Sequence, residues 1–151
     1  MQVREIMTPD PVACTPEDRV VTAAKIMRER DCGAVPVVDS QDSRRVWGIL
    51  TDRDIVLRVV ARERDCLSTT VGECMTPDVF TVRPTDDVAD VVQLMERQQI
   101  RRVPVVEEGD LLVGIVATAD QARRLHDDQV VAELFEDVSA PEPVAIGAGG
   151  Q

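Results

Sequence analysis

A chain of 151 residues can bury a real core, either as one compact domain or as two small fused repeats. Its net charge of −11 argues against non-specific binding to nucleic acid or to anionic membranes. Aromatic residues make up only 2% of the chain, so the core must be built from Val, Ile, Leu, Met and Ala. The opening Met1-Gln2-Val3-Arg4-Glu5-Ile6-Met7 has no apolar signal-peptide core, and no stretch approaches the roughly 18 apolar residues of a membrane span. A cytoplasmic protein is expected. Cys14, Cys32, Cys66 and Cys74 show no CxxC spacing and the single histidine, His126, is distant from them. Reduced thiols are therefore expected rather than a zinc centre.

In chain order, Met7-Thr8-Pro9-Asp10 precedes a short predicted strand, Val12 to Cys14, which ends near Pro16. A helix follows, with Val20, Ala23, Ala24 and Met27 at the i, i+3, i+4, i+7 spacing of an apolar stripe. Ala34 to Val38 reads as a strand, a polar loop follows, and Val46 to Leu50 reads as a second buried strand. The chain then turns at Thr51-Asp52-Arg53-Asp54 into a helix beginning Ile55-Val56-Leu57. A strand-to-helix corner gathers free N–H groups and the positive end of the helix dipole, which suits anions and polyols. An aspartate fixed there, Asp54, can accept both hydroxyls of a ribose diol. Thr51-x-x-Asp54 also reads as a capping box, with each side chain closing the other's N–H.

The helix after Asp54 carries Ile55, Val56, Val59 and Val60 around most of its circumference. Such a helix is buried on more than one side, by a second subunit or by the rest of the chain. A two-fold homodimer is expected.

All of this then recurs 68 residues further on. Met7-Thr8-Pro9-Asp10 returns as Met75-Thr76-Pro77-Asp78, Val20 as Val88, Met27 as Met95, and Val35-Pro36-Val37-Val38 as Val103-Pro104-Val105-Val106. After a two-residue deletion Gly48-Ile49 meets Gly114-Ile115 and Asp54 meets Asp120. The predicted first strand of the second unit is Val79 to Val82, and its helix carries Val88, Val91, Val92 and Met95. The fold class expected is α/β (α+β): two β-α-β-β-α repeats packed pseudo-two-fold through their sheets. The expected limits are 1–67 and 68–126 for the repeats, 127–138 for a C-terminal amphipathic helix, and 139–151 for a Pro/Gly/Ala-rich disordered tail.

This order of motifs, Met-Thr-Pro, strand, helix ending in Met, hydrophobic-Pro-Val-Val, and Gly-hydrophobic-hydrophobic-Thr-x-x-Asp, resembles a CBS domain. Two in tandem resemble a CBS pair, the Bateman module. Thr51-Asp52-Arg53-Asp54-Ile55-Val56 and Arg101-Arg102-Val103-Pro104-Val105 are similar to stand-alone CBS proteins of the actinobacterial hypoxic-response type. The resemblance covers about residues 1 to 125.

It implies binding of an adenine nucleotide (AMP, ADP or ATP) in a cleft between the repeats. Thr51 and Asp54 of one repeat would hold the ribose, while Arg101, Arg102, Val103 and Pro104 of the other supply phosphate and adenine contacts. Arg53 would add charge at the rim. An arginine pair suits a phosphate through forked, charge-assisted hydrogen bonds. The second cleft departs from the pattern, with Ala117 for the threonine and Gly33-Ala34 for the arginine pair, so one competent site is expected. The resemblance also implies head-to-head dimers.

No Ser/His/Asp or Cys/His set, metal cluster or P-loop is present, and an enzyme is not expected. The expected function is regulatory: a module that reports nucleotide binding to a protein target through its conformation. The alternative is a ligand-free structural or interaction protein of the stress response, redox-responsive through Cys14 and Cys32.

Overall fold

The computed structural model describes residues 1–118. Asp120, His126, the expected C-terminal helix (127–138) and the tail (139–151) lie outside the described residues. The elements are β1 (Thr8–Pro9), α1 (Val20–Arg30), β2 (Ala34–Val38), β3 (Val46–Thr51), α2 (Asp52–Ile55), α3 (Val71–Cys74), β4 (Thr76–Pro77), α4 (Val88–Gln98), β5 (Arg102–Glu107) and β6 (Leu111–Ala117). The fold is mixed α/β, with two three-stranded sheets ordered β2-β3-β4 and β1-β6-β5.

Each sheet is a hairpin from one repeat completed by a strand from the other. β4 lies antiparallel on β3, with Thr76 opposite Ile49 and Pro77 opposite Gly48. β1 lies likewise on β6, with Thr8 opposite Ile115 and Pro9 opposite Gly114. The glycines of the repeated Gly-Ile pair follow from this crossing. A Cβ at Gly48 would stand 2.5 Å from the Thr76 carbonyl oxygen, and one at Gly114 would stand 2.5 Å from Met7 Sδ. At Gly48 the backbone of the crossing strand leaves no room for a side chain, and at Gly114 the Met7 side chain would have to move.

The strands expected at Val12 to Cys14 and Val79 to Val82 are a correction. Each contributes a single parallel bridge, Cys14 to Val37 and Val82 to Val105. Cys14 N–H donates to the Pro36 carbonyl at 2.9 Å, and Val82 N–H to the Pro104 carbonyl at 3.1 Å. Pro36 and Pro104 offer a carbonyl but no N–H to these outer segments, so the ladder cannot extend.

The cores are shared in the same way. Val20, Ala23, Met27, Val35, Val37, Leu50 and Val59 pack with Val71 and Cys74, and Val88, Val91, Val92, Met95, Val103 and Val105 pack with Val3 and Ile6. Backbone bonds repeat the exchange: Val3 N–H to the Asp86 carbonyl at 2.9 Å, and Val71 N–H to the Asp18 carbonyl at 2.7 Å. Each buried valine contributes about 1.5–3 kcal/mol relative to exposure, so every such exchange ties the two halves together. The stripe of α4 is buried throughout, whereas in α1 Ala24 faces solvent.

Beyond α2 the helix widens into a π turn over Val56–Val60. Of its apolar residues Val59 is in the core, whereas Val56, Leu57 and Val60 are 54%, 47% and 65% exposed. Of the burial expected on more than one side, the chain's own core supplies that of Val59 and leaves Val56, Leu57 and Val60 outside. Among the described residues no helix is long and apolar enough to cross a membrane.

Candidate functional site

Two clefts lie between the repeats, related by the pseudo-two-fold. The larger, of about 710 Å³, is bounded by Thr51, Asp52 and Arg53 at the β3–α2 corner and by Thr76, Asp78, Val79 and Phe80 around the end of β4. Its far wall is Gln99 to Arg102. Of the expected ligands, Thr51, Arg53, Arg101 and Arg102 therefore come together from two repeats. Val103 and Pro104 are buried behind this wall and do not line it.

Asp54 is turned inward. It is 9% exposed and lies outside the cleft lining. Its Oδ2 accepts the Thr51 N–H at 3.0 Å while Thr51 Oγ1 accepts the Asp54 N–H at 3.0 Å, which is the capping box in full. The Thr76 hydroxyl stands 3.4 Å from both carboxylate oxygens, and Arg58 Nε lies 3.9 Å from Oδ1. The pair forms the cap, and only its Thr51 also lines the cleft. The cap fixes the corner, and Thr76 carries the polar surface on towards the cleft.

Sequence reasoning missed Asp52, Thr76, Asp78, Phe80 and Ile100 as wall residues. The signal was in the second Met-Thr-Pro-Asp, whose β4 crosses onto β3 and so reaches the corner of the other repeat. Gln99 closes α4 in the left-handed region, φ 55°, as Asp31 closes α1 at φ 52°. Both residues line a cleft, so each helix end delivers its chain to a cleft wall by the same turn.

The second cleft is smaller, about 450 Å³, and Ala117, Gly33 and Ala34 line it as expected. Arg30 and Arg102 line it as well, so it is not devoid of cations. A Cβ at Gly33 would stand 2.5 Å from Arg102 Nη2 and 2.8 Å from Asp52 Oδ2. Glycine at 33 thus leaves room for the Arg102 guanidinium, which borders both clefts.

Cys14 is buried and Cys32 is exposed on the wall of the second cleft, and both are free thiols. Burial, with the charge of Asp18, pushes the Cys14 thiol up to about 12. Burial likewise raises Cys74. Among the described residues no three His, Cys, Asp or Glu side chains gather as a metal site would require.

The exchanged strands, the repeated corners and the two clefts define a tandem module of two intertwined repeats. The family model of the CBS domain matches twice, over residues 3–61 and 71–120, and the chain belongs to the CBS domain family as a CBS pair. It is 40% identical to Hypoxic response protein 1 of Mycobacterium tuberculosis over 143 residues, 94% of this chain and 96% of that protein. The crystal structure of Hypoxic Response Protein I with two coordinated zinc ions superposes with a TM-score of 0.72 at 37% identity. That match covers 82% of this chain and 98% of that chain. The CBS pair of protein MJ0100 in complex with 5′-methylthioadenosine and S-adenosyl-L-methionine gives 0.76 at 27% identity, covering 85% and 98%. The described residues of the present chain do not fit a zinc centre, since they form no ligand cluster.

Proposed function

We propose that this CBS pair is a regulatory protein that binds one adenine nucleotide (AMP, ADP or ATP) in the larger cleft and signals through its conformation to a protein target. The observation that carries this reading is the meeting of Thr51 and Arg53 with Arg101 and Arg102 around one cleft of about 710 Å³. The adenosyl ligands of the MJ0100 pair support the ligand class. The Thr51–Asp54 corner takes the ribose: Oδ2 of Asp54 is held by the Thr51 N–H, and a ribose hydroxyl reaches the carboxylate by displacing the Thr76 hydroxyl. Arg53, Arg101 and Arg102 take the phosphates as forked donors. Val103 and Pro104 stiffen the wall behind the base.

Titration of AMP, ADP, ATP and S-adenosylmethionine against the purified protein tests the reading. A phosphorylated ligand should bind, and Asp54→Ala should weaken it about tenfold or more, the loss of one charged hydrogen bond. Unaltered affinity in a folded Asp54→Ala protein would refute the ribose assignment.

We further propose a homodimer through the exposed apolar face of Val56, Leu57 and Val60. A closed two-fold contact covers the patch on both subunits at once. The limits 1–67 and 68–126 are proposed for the repeats as units of sequence, while their folding is joint.

A further inference from the structure

The connection from Val38 to Val46 is two residues longer than the one from Val106 to Leu112, although the residues at its ends pair alike. The longer loop folds back over its own half. Gln41 Nε2 donates to the Ala13 carbonyl at 2.8 Å, and Arg44 Nη2 donates to the Pro11 carbonyl at 2.8 Å. The same guanidinium stands 3.7 Å from Asp10 Oδ1. In the second half these three partners become Thr81, Val79 and Asp78. The residue in the place of Arg44 is Asp110: Leu112 N–H donates to the Arg44 carbonyl at 2.9 Å, and Val46 N–H to the Asp110 carbonyl at 3.0 Å. Gln41 has no counterpart in the shorter loop. Among the described residues no side chain donates to the Val79 or Thr81 carbonyl or pairs with Asp78. A groove of about 440 Å³ remains where the first half carries a plug, bounded by Trp47, Met75, Pro77, Val79, Asp78 and Asp110.

We propose that this groove docks an arginine-bearing loop of a partner protein, which supplies in trans what Arg44 supplies to the other half in cis. The position that holds a guanidinium in one repeat faces two carboxylates in the other, and a carbonyl stands beside them in both. Trp47, 50% exposed, replaces the partly buried Val113 of the other half and offers an indole face for a guanidinium to stack on. A planar fork can donate to the Val79 carbonyl and the carboxylates while stacking, which a lysine ammonium cannot do. The chain's net charge of −11 draws a cationic loop towards it.

Trp47 is the single tryptophan, so its emission reports the groove directly. The probe is an acetylated, amidated Ser-Gln-Asp-Ser-Arg peptide, a copy of residues 40–44. It should change the emission saturably, about tenfold more weakly when Asp78→Asn removes one charged acceptor. Replacing its arginine with citrulline, or filling the groove with Asp110→Arg, should abolish the change, while Glu108→Gln should leave it intact. Asp110→Arg restores the residue type of the first half, and an unshifted melting temperature verifies its fold. Equal binding by the citrulline peptide or by Asp110→Arg, or no saturable change at millimolar peptide, would overturn the proposal. So would an Asp110→Arg protein of altered mass in light scattering, because the groove would then belong to a second copy of this chain.

Discussion

Arg102 borders two clefts with one guanidinium, and Gly33 is what lets it lie between them. Gly33→Ala would place a methyl group 2.5 Å from Nη2, a contact that the far end of a flexible side chain can relieve by moving. The arginine then has only the larger cleft to enter. ADP affinity should rise severalfold in Gly33→Ala and fall below wild type in Arg102→Ala, as measured by calorimetry. An unchanged affinity in Gly33→Ala would separate Arg102 from the phosphate. The cysteines give a second test at this scale. Cys14 and Cys74 are buried with raised thiols, whereas Cys32 and Cys66 are exposed. Iodoacetamide at pH 8 should therefore label the two exposed cysteines of the folded protein and all four after denaturation, read by mass spectrometry. A Cys14–Cys32 pair that stays unlabelled in denaturant would reveal a disulfide. The cap formed by Thr51 and Asp54 was legible in sequence from the spacing of the two residues. That Asp54 faces inward was not legible. It depends on Thr76, which a strand from the other repeat delivers.

At the scale of elements, the π turn over Val56–Val60 divides one apolar run into two fates. Val59→Asp buries a charge in the core and should unfold the protein. Val56→Asp should leave the melting temperature nearly unchanged and act on assembly alone. Equal melting temperatures for the two variants would contradict this division. The helical stripes and the hairpins were legible from periodicity, since each lies within a single short stretch of chain, Ala34–Thr51 for the first hairpin. β1 and β4 were not: two residues show no alternation, and their partners stand about 28 positions away in β3 and about 106 in β6. The marks they left were the repeated Met-Thr-Pro-Asp and the glycine pair Gly48 and Gly114 that it crosses. A pH test belongs to α3. Hydrogen bonds from the Thr70 N–H and hydroxyl, at 3.0 and 2.8 Å, and then the Arg64 guanidinium hold the Glu73 carboxyl below its usual range. A lowered folded pKa stabilises above the unfolded value and ceases to do so as pH falls through the folded one. The melting temperature should therefore fall on acidification below about pH 4, and less steeply in Glu73→Gln. Parallel acid limbs for the two proteins would remove Glu73 from the account.

For the whole molecule, the exchange of β1 and β4 makes the halves interdependent, so a ligand between them acts on both cores. In the proposed homodimer, exposed Val56, Leu57 and Val60 offer a route from one subunit to the next. Light scattering at low micromolar concentration should report about twice the chain mass of 16.6 kDa, and Val56→Asp should return it towards the monomer. A wild-type monomer would contradict the dimer. The duplication was legible in sequence as repeated motifs, and so was the unequal endowment of the clefts. The position of Arg102 across Gly33 was not, because it arises only once the two halves face each other. The central claim is one nucleotide in one cleft. Calorimetric titration of ADP into the wild-type protein measures it most directly: the account predicts one ADP per chain, lost together with Arg101→Ala and Arg102→Ala combined, and two sites per chain or no binding at all would contradict it.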